Sequence, residues 1–245
     1  MRSNVDLSVV TPTYLEKENI KRMIPLIFKI FKKHNINGEI VVVDDNSPDG
    51  TSNIIKKLRK KYTKIKLIQR PTKLGIGSAY RDGISAAEGK IVITMDADFN
   101  HPPLKIPELY DLAKEGMIAC GSRFSGKSEF STDIFHRLAT IILNIWIRLL
   151  HKIEIKDVTL GFLAISRNNL KIITKKLAKY KLQPFENTLY SIDLLVCAHK
   201  IKIPLREVKV NYKKRKYGSS KINFFQGLKI VLSSMIHSVV LLKMK

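Results

Sequence analysis

The first 120 residues alternate short runs rich in Val and Ile with longer amphipathic stretches. This alternation is typical of successive βα units, whose strands form a mostly parallel sheet flanked by helices. It therefore predicts an α/β fold. The apolar runs predict strands at residues 5–11, 39–44, 65–69, 90–95 and 117–120. The stretches between them predict helices at residues 16–34, 51–61, 77–88 and 104–115.

The second half of the chain is less regular and contains two strongly apolar stretches. Residues 134–150 are interrupted by Arg137, and residues 222–242 by Lys229. A membrane-spanning helix needs about 20 apolar residues in a row. Both stretches are therefore expected to form core helices or helices that lie on a membrane surface. Further elements are expected as helices at 167–178 and 187–200 and as strands near 159–165 and at 203–212.

The N-terminal sequence MRSNVDLSVVTPTY lacks the apolar stretch of a signal peptide. We therefore expect a peripheral or monotopic protein at the cytoplasmic face of a membrane, without a transmembrane span. Cys120 and Cys197 lie in separate apolar runs without metal-ligand spacing. They are expected to be buried thiols in a reducing compartment rather than disulfide partners.

Charge is distributed unevenly along the chain, whose formal net charge is +23. Residues 1–120 carry 20 basic and 14 acidic side chains, whereas residues 121–245 carry 24 and 7. The second half is therefore expected to meet nucleic acid, an anionic membrane surface or a phosphorylated substrate. Aromatic residues do not interleave with the basic ones as a stacking platform for single strands requires. A nucleic-acid partner is therefore not expected.

Acidic residues stand at the ends of three predicted strands. Glu16 follows the first strand closely, Asp44 ends the second, and Asp96 and Asp98 follow the fourth. Ligands of open parallel sheets bind beyond the carboxyl ends of the strands. Because side chains alternate along a strand, Asp96 and Asp98 are expected to point to the same side. With Asn100, they offer the oxygen ligands that Mg²⁺ or Mn²⁺ prefers beside substrate phosphates.

Seven motifs, in order along the chain, carry a specific resemblance to a known family. They are TPTYLEKENI, VVVDDNSPDGT, LGIGSAYRDGISAAEG, MDADFNHPP, GSRF, DVTLGF and RKYGSSK. The chain resembles the dolichol (polyprenol) phosphate mannose synthases, which are family-2 glycosyltransferases with the Rossmann-like GT-A fold. The resemblance implies inverting transfer of mannose from GDP-mannose to a polyprenyl (dolichyl) monophosphate. It implies a GT-A catalytic domain at 1–212, followed at 213–245 by a basic acceptor loop and an amphipathic, membrane-associating helix.

Matching positions imply roles for individual residues. The nucleotide pocket would be lined by Pro12, Tyr14, Glu16 and Asp44. The metal and the sugar diphosphate would be held by Asp96, Asp98 and Asn100. Phosphates of the donor or acceptor would be met by Arg123, Arg137, Arg215 and Lys221. Catalytic roles would fall to Asp98, Arg123, Arg137 and, as an acid–base residue, Asp193.

Three positions depart from the family's pattern. Leu15 replaces the usual Asn of P-T-Y-N-E, Leu163 stands where Arg is frequent, and Asn100 stands where Gln or Ser is common. These differences leave the sugar and the nucleotide open. A polyprenyl-phosphate glucosyltransferase that uses UDP-glucose, or a GT-A enzyme with a soluble acceptor, therefore remains an alternative. A small transmembrane partner subunit is also left open.

Residues 121–128 (GSRFSGKS) match the P-loop pattern G-x-x-x-x-G-K-[ST] and follow a predicted strand. A P-loop normally follows the first strand of its unit, whereas this match follows the fifth. No apolar strand ending in Asp comes after it in the usual place. A P-loop NTPase is therefore a disfavoured alternative.

Overall fold

The computed structural model describes residues 4–124, 134–182, 185, 190–211 and 224–244. The strands in this part of the chain are β1 (Leu7–Thr13), β2 (Gly38–Asp44), β3 (Ile65–Gln69), β4 (Ile91–Thr94), β5 (Ile118–Ser122), β6 (Leu163–Ser166) and β7 (Leu205–Lys209). The helices are α1 (Lys17–Lys33), α2 (Thr51–Arg59), α3 (Ile76–Ala86), α4 (Ile106–Lys114), α5 (Ile134–His151), α6 (Arg167–Lys179), α7 (Tyr190–Lys200) and α8 (Phe224–Leu241). Each predicted element is present, most of them within three residues of the expected bounds.

The strands form one sheet in the order β3-β2-β1-β4-β6-β5-β7. Strand β1 pairs in parallel with β2 and β4, β2 with β3, and β5 with β7. Strand β6 is antiparallel to both of its neighbours, β4 and β5. The mostly parallel sheet expected from the sequence is confirmed. Apart from β6, the strands direct their carboxyl ends to one edge, which is where open α/β sheets bind ligands.

The strands are apolar on both sides because helices cover both faces of the sheet. Val10 and Val41 pack into the layer that contains α3, α5, α6 and α7. Val9 and Val42 pack into the opposite layer, with α1, α2 and α4. This alternation of neighbouring side chains is the geometry of an extended strand. The core therefore has two halves, one on each side of the sheet.

Helix α3 lies close to the sheet because of Gly83. A Cβ atom at this position would stand 2.4 Å from Cγ1 of Val10 and 3.0 Å from Cγ2 of Val43. These separations are shorter than van der Waals contact, so a side chain here would push the helix away from β1 and β2. Tyr80 lies one helical turn earlier on the same side of α3 and is fully buried. Gly83 thus fixes the depth at which Tyr80 sits.

Pro12 lies within the central strand β1 without removing a ladder hydrogen bond. The carbonyl of Val10 accepts a hydrogen bond from the backbone N–H of Met95, on the side of β4. Pro12, two residues further on, faces the same side, but β4 has already ended at Thr94. The missing N–H of the proline therefore falls beyond the end of the neighbouring strand, which is where a sheet tolerates proline.

Helices α5 and α8 pack against each other. The indole Nε1 of Trp146 donates a hydrogen bond to Oγ of Ser238 at 3.1 Å. Both helices keep large apolar side chains at the surface, among them Leu149 and Ile236, which are 76% and 72% exposed. Within the residues described, no helix combines the length and the apolar character needed to cross a membrane.

Candidate active site

The loops after β1 and β2 meet at the ligand-binding edge of the sheet. Asp44, the last residue of β2, is fully buried. Its carboxylate accepts hydrogen bonds from the hydroxyls of Ser47 and Ser52, each at 2.6 Å, and of Thr13 at 3.1 Å. These donors fix its direction and organise the turn after β2. A contact between Asp44 and a nucleotide remains a prediction.

Pro12, Tyr14 and Glu16 lie at the end of β1, beside this turn. The ammonium of Lys73 stands 4.4 Å from the centre of the Tyr14 ring. Glu16 accepts a hydrogen bond from Nδ2 of Asn19 at 2.6 Å. The structure therefore brings the residues implied for the nucleotide pocket to one edge, while their contact with a nucleotide remains a prediction.

Three loops at this edge each contain a non-glycine residue in the left-handed region of backbone conformation. Leu15 after β1 has φ of 58°, Asn46 after β2 has 57°, and Phe99 after β4 has 64°. For residues other than Gly, Asn and Asp, this region costs roughly 1–2 kcal/mol. Leu15 and Phe99 therefore have a strained backbone in two loops of the candidate site. Lys152 and Lys202 adopt the same conformation elsewhere in the chain.

Replacing Leu15 with Asn should raise the free energy of unfolding by roughly 1 kcal/mol, because Asn tolerates the left-handed region better than Leu. The Leu15 side chain is 42% exposed, so little packing is lost. Urea unfolding followed by circular dichroism measures the change. Leu74→Asn, at an exposed position with ordinary φ, is the control. An unchanged urea midpoint for Leu15→Asn would contradict the backbone strain assigned to Leu15.

Asp98 and Asn100 are joined by two hydrogen bonds in the loop after β4. Both carboxylate oxygens of Asp98 accept from Asn100, Oδ1 from the backbone N–H at 3.0 Å and Oδ2 from Nδ2 at 2.8 Å. Oδ1 of Asn100 is buried and has no hydrogen-bond partner within the described ranges. An unsatisfied buried oxygen is costly. A bound cation would satisfy it.

Asp96 lies beside this pair, and its backbone is held by His101. Nδ1 of His101 accepts a hydrogen bond from the backbone N–H of Asp96 at 2.9 Å, which places the ring proton on Nε2. That nitrogen lies 3.8 Å from Oδ2 of Asp96 and, being protonated, has no lone pair for a metal. The imidazole also stacks on Phe162, with ring centres 5.0 Å apart. His101 therefore shapes the loop.

Two carboxylates and one amide, from Asp96, Asp98 and Asn100, thus form the candidate metal centre. Across the described part of the chain, no three His, Cys, Asp or Glu side chains group closely enough to hold a metal. Mg²⁺ is commonly held by one or two carboxylates, with waters and substrate phosphates completing its shell. The donor set present here fits a hard divalent cation of that kind.

Two buried tyrosines lie behind Asp96. The Tyr80 hydroxyl donates to Oδ1 of Asp96 at 2.7 Å, and the Tyr190 hydroxyl donates to the carbonyl of Gly161 at 2.7 Å. Burial first, and then the Asp96 carboxylate, raise the pKa of both hydroxyls well above the ordinary range. Both therefore keep their protons and act as donors. Neither tyrosine was identified from the sequence. Tyr80 stands in the motif LGIGSAYRDG, and nothing in that motif indicates that it lies beneath Asp96.

A buried ion pair next to the site was also missed from the sequence. Arg70, which follows β3, pairs with Asp45, and both side chains are almost fully buried. The guanidinium also donates to Oγ of Ser78 at 2.7 Å and to the carbonyl of Gly75 at 2.8 Å. The pair ties the end of β2 to the start of α3. The second Asp of VVVDD was a visible signal, but its partner depends on the pairing of β2 with β3.

Arg123, which was predicted to meet a phosphate, is held by Asp157. Nε and Nη2 each donate to one carboxylate oxygen of Asp157 at 2.8 Å, and Nη2 also donates to Oγ1 of Thr159 at 2.8 Å. Asp157 is completely buried, so Arg123 neutralises a charge that water does not reach. Asp157 stands in the DVTLGF motif but was not identified from the sequence. A phosphate contact by Arg123 remains a prediction.

The other predicted phosphate-binding residues are less fully defined. Arg137 is exposed on α5, while Arg215 and Lys221 lie outside the described residues. Lys127 of the P-loop pattern also lies outside them. Gly121, the first residue of that pattern, is inside strand β5 rather than in a loop.

Asp193 is buried on α7 and contacts α8. Its Oδ1 lies 2.8 Å from Nε2 of His237, and its Oδ2 is buried without a hydrogen-bond partner among the residues described. This contact links α7 with α8. An acid–base role for Asp193 remains a prediction.

Comparison with curated proteins identifies relatives whose names describe transfer of sugars to dolichyl phosphate. A dolichol-phosphate mannosyltransferase of Pyrococcus furiosus is 37% identical over 167 residues, which cover 66% of this chain and 46% of the relative. The Saccharomyces cerevisiae dolichol-phosphate mannosyltransferase is 32% identical over 127 residues, 50% of this chain and 46% of the relative. The chain thus spans about half the length of these curated relatives. A dolichyl-phosphate beta-glucosyltransferase of Trichomonas vaginalis, ALG5D, is 26% identical in an alignment 249 positions long, which covers 96% of this chain and 71% of the relative.

Solved structures show the same fold. Glucosyl-3-phosphoglycerate synthase of Mycobacterium tuberculosis, in complex with Mn²⁺, UDP and glucosyl-3-phosphoglycerate, has a TM-score of 0.64 at 18% identity, covering 97% of this chain and 79% of that one. The GT-A-like fold is thereby confirmed. Residues 8–173, which run from β1 into α6 and include the loops after β1, β2 and β4, match the family model "Glycosyl transferase family 2". This chain therefore belongs to glycosyl transferase family 2.

Proposed function

We propose that this chain transfers mannose from GDP-mannose to a polyprenyl (dolichyl) monophosphate, with inversion at the anomeric carbon and with Mg²⁺ or Mn²⁺ as its cofactor. The observation that carries the proposal is the pairing of Asp98 with Asn100, which leaves a buried amide oxygen facing no donor in the described structure. Membership of the family and the two mannosyltransferase relatives support the reaction class.

Asp96, Asp98 and Asn100 would hold the divalent cation and the sugar diphosphate. When bound, the cation would neutralise the charge that develops on the nucleoside diphosphate leaving group. The mycobacterial synthase was solved in complex with Mn²⁺ and UDP and also in complex with Mg²⁺ and UDP. Those complexes support a divalent cofactor without deciding between the two metals.

The acceptor in this proposal is a phosphate that is already anionic near neutral pH, so it needs positioning more than deprotonation. Arg123 is suited to that task because Asp157 fixes the plane of its guanidinium, and a planar guanidinium matches the geometry of phosphate oxygens. Arg137, Arg215 and Lys221 would supply additional positive charge. Any acid–base role of Asp193 would include its partner His237.

A donor panel tests the proposal. The purified chain is incubated with a short polyprenyl phosphate, Mg²⁺ or Mn²⁺, and one labelled sugar nucleotide at a time, and lipid-extractable label is counted. GDP-mannose should give lipid-extractable product, and a chelator of divalent metals should abolish its formation. A parallel reaction with a soluble phosphorylated acceptor tests a soluble substrate. If no sugar nucleotide gives lipid-extractable product, the proposal fails.

A second candidate is transfer of glucose from UDP-glucose to the same acceptor. It is favoured by the alignment with ALG5D, which covers 96% of this chain, whereas the mannosyltransferase alignments cover 66% and 50%. The donor panel decides between the two. Product from UDP-glucose, with none from GDP-mannose, would establish the glucosyltransferase.

We also propose that α5 and α8 hold the chain at a membrane surface. Both helices expose large apolar side chains. The second half of the chain carries 24 basic against 7 acidic side chains, which suits anionic headgroups. Apolar side chains would enter the headgroup region while basic residues remain near the lipid charges. This surface would bring a polyprenyl phosphate to the enzyme, with or without a small transmembrane partner subunit.

Replacing both Leu149 and Ile236 with Glu should lower binding to vesicles of phosphatidylcholine and phosphatidylserine roughly tenfold or more, since burying one such side chain is worth about 1.5–3 kcal/mol. Co-sedimentation with vesicles measures the bound fraction. Ile172→Glu, at an exposed position on α6, is the control and should leave binding unchanged. Equal binding of the double variant and the wild type would exclude this surface.

A further inference from the structure

The two carboxylates of the candidate metal centre are held in different ways. Asp98 is held by Asn100, its near neighbour in the chain. The side chain of Asp96 is held at Oδ1 by Tyr80, which lies 16 residues away on α3. Because the Asp96 side chain is 34% exposed, its carboxylate has room to turn toward solvent unless a donor restrains it. The Tyr80 hydroxyl is placed to supply that restraint.

Tyr80 is itself rigidly placed. Its ring is completely buried, and Gly83 sets the depth of α3 on the sheet. The Tyr190 ring lies 4.8 Å from the Tyr80 ring at an interplanar angle of 52°. Phe185 packs on Tyr190 in turn, with centroids 4.9 Å apart. Closely packed aromatic rings leave little room for another rotamer, so the hydroxyl has a fixed position.

We propose that Tyr80 is a positioning residue that holds Oδ1 of Asp96 and thereby directs Oδ2 of the same carboxylate to the metal and the sugar diphosphate. The inference rests on the proposed metal-dependent sugar transfer and deepens it. Tyr80 itself touches neither metal nor substrate and acts through Asp96. A ligand oxygen that is already oriented loses less freedom when a cation binds, so the affinity for the cation is higher.

Tyr80→Phe should weaken Mn²⁺ binding roughly 10- to 100-fold, the usual effect of removing a group that orients a metal ligand. The substitution keeps the aromatic ring and its packing. Titration of the full chain with Mn²⁺, followed by electron paramagnetic resonance of the free ion, measures the affinity without any enzyme assay. Tyr62→Phe is the matched control. It removes the hydroxyl of a tyrosine that lies between α2 and β3 and stacks on Phe28 in the other half of the core, so Mn²⁺ affinity should stay at the wild-type value.

A second readout separates positioning from a loss of folded protein. In sugar transfer, Tyr80→Phe should raise the metal concentration that gives half-maximal rate, while kcat at saturating Mn²⁺ returns toward the wild-type value. A variant that merely folds less completely would lower kcat and leave half-saturation unchanged. That pattern would overturn the inference, as would equal Mn²⁺ affinity for Tyr80→Phe and the wild type. Failure of the wild-type chain to bind Mn²⁺ would instead contradict the proposed metal centre, on which the inference rests.

Discussion

Replacing Asp98 with Asn is expected to lower the rate of sugar transfer by roughly 10²–10³-fold or more, the usual cost of removing a group that stabilises transition-state charge. The carboxylate of Asp98 accepts two hydrogen bonds from Asn100. An amide of the same size offers one acceptor oxygen, so one donor of Asn100 would then face another donor. The substitution therefore removes a negative charge from the metal centre and disturbs the amide that completes it. Initial rates at saturating donor and metal measure the effect.

Asp111→Asn is the matched control for this experiment. Asp111 carries the same charge, but it lies on the exposed side of α4 with its side chain 66% exposed. Its substitution should leave both the rate and the circular dichroism spectrum unchanged. Asp98→Asn should also keep the wild-type spectrum. If that variant retained most of the wild-type rate, Asp98 could not belong to the metal centre.

Replacing Asp157 with Ala should lower the free energy of unfolding by about 3–5 kcal/mol, because Arg123 would keep a buried charge without its counter-charge. The two side chains are 0% and 13% exposed, and they are joined by a two-point hydrogen-bonded contact. Urea unfolding followed by circular dichroism measures the change. Glu108→Ala removes the exposed pair with Lys105 and should cost only about 0–1 kcal/mol.

A double variant separates the structural role of Arg123 from its predicted phosphate contact. Arg123→Met with Asp157→Leu removes both charges and should recover much of the stability lost in Asp157→Ala. Sugar transfer should stay low in the double variant, because the guanidinium predicted to donate hydrogen bonds to the phosphate is gone. Recovery of both stability and transfer would show that Arg123 serves only to neutralise Asp157. A stable Asp157→Ala variant would contradict the importance of the ion pair itself.

Much of the fold follows from local pattern. The run VVV before Asp44 is apolar because β2 is covered on both faces, so its position was readable from sequence. Strand β4 was readable in the same way, because its buried apolar run IVIT is followed closely by the Asp-x-Asp motif. The direction of β6 was not readable, because a strand of four residues has the same alternation in either direction. Its antiparallel pairing with β4 and β5 is decided by tertiary packing.

The candidate site was predictable where its residues are neighbours in the chain and not where they are distant. Asp96, Asp98 and Asn100 share one loop, and their spacing alone suggested oxygen ligands for a metal. The supports of the site come from elsewhere: Tyr80 from α3 and Asp157 from the segment between α5 and β6. Their partners are set by helix depth and by loops that meet only in the folded chain. Neither the composition nor the spacing of residues along the chain indicates these long-range contacts.

The close approach of Gly83 to the sheet has a consequence for how natural variants of this protein would be interpreted. A substitution there would lift α3 from Val10 and Val43 and carry the Tyr80 hydroxyl away from Asp96. Because small displacements of catalytic groups reduce rates strongly, the resulting allele would look like an active-site lesion. A genetic screen for loss of sugar transfer should therefore recover position 83, although its glycine lies in the core and offers no functional group to a substrate.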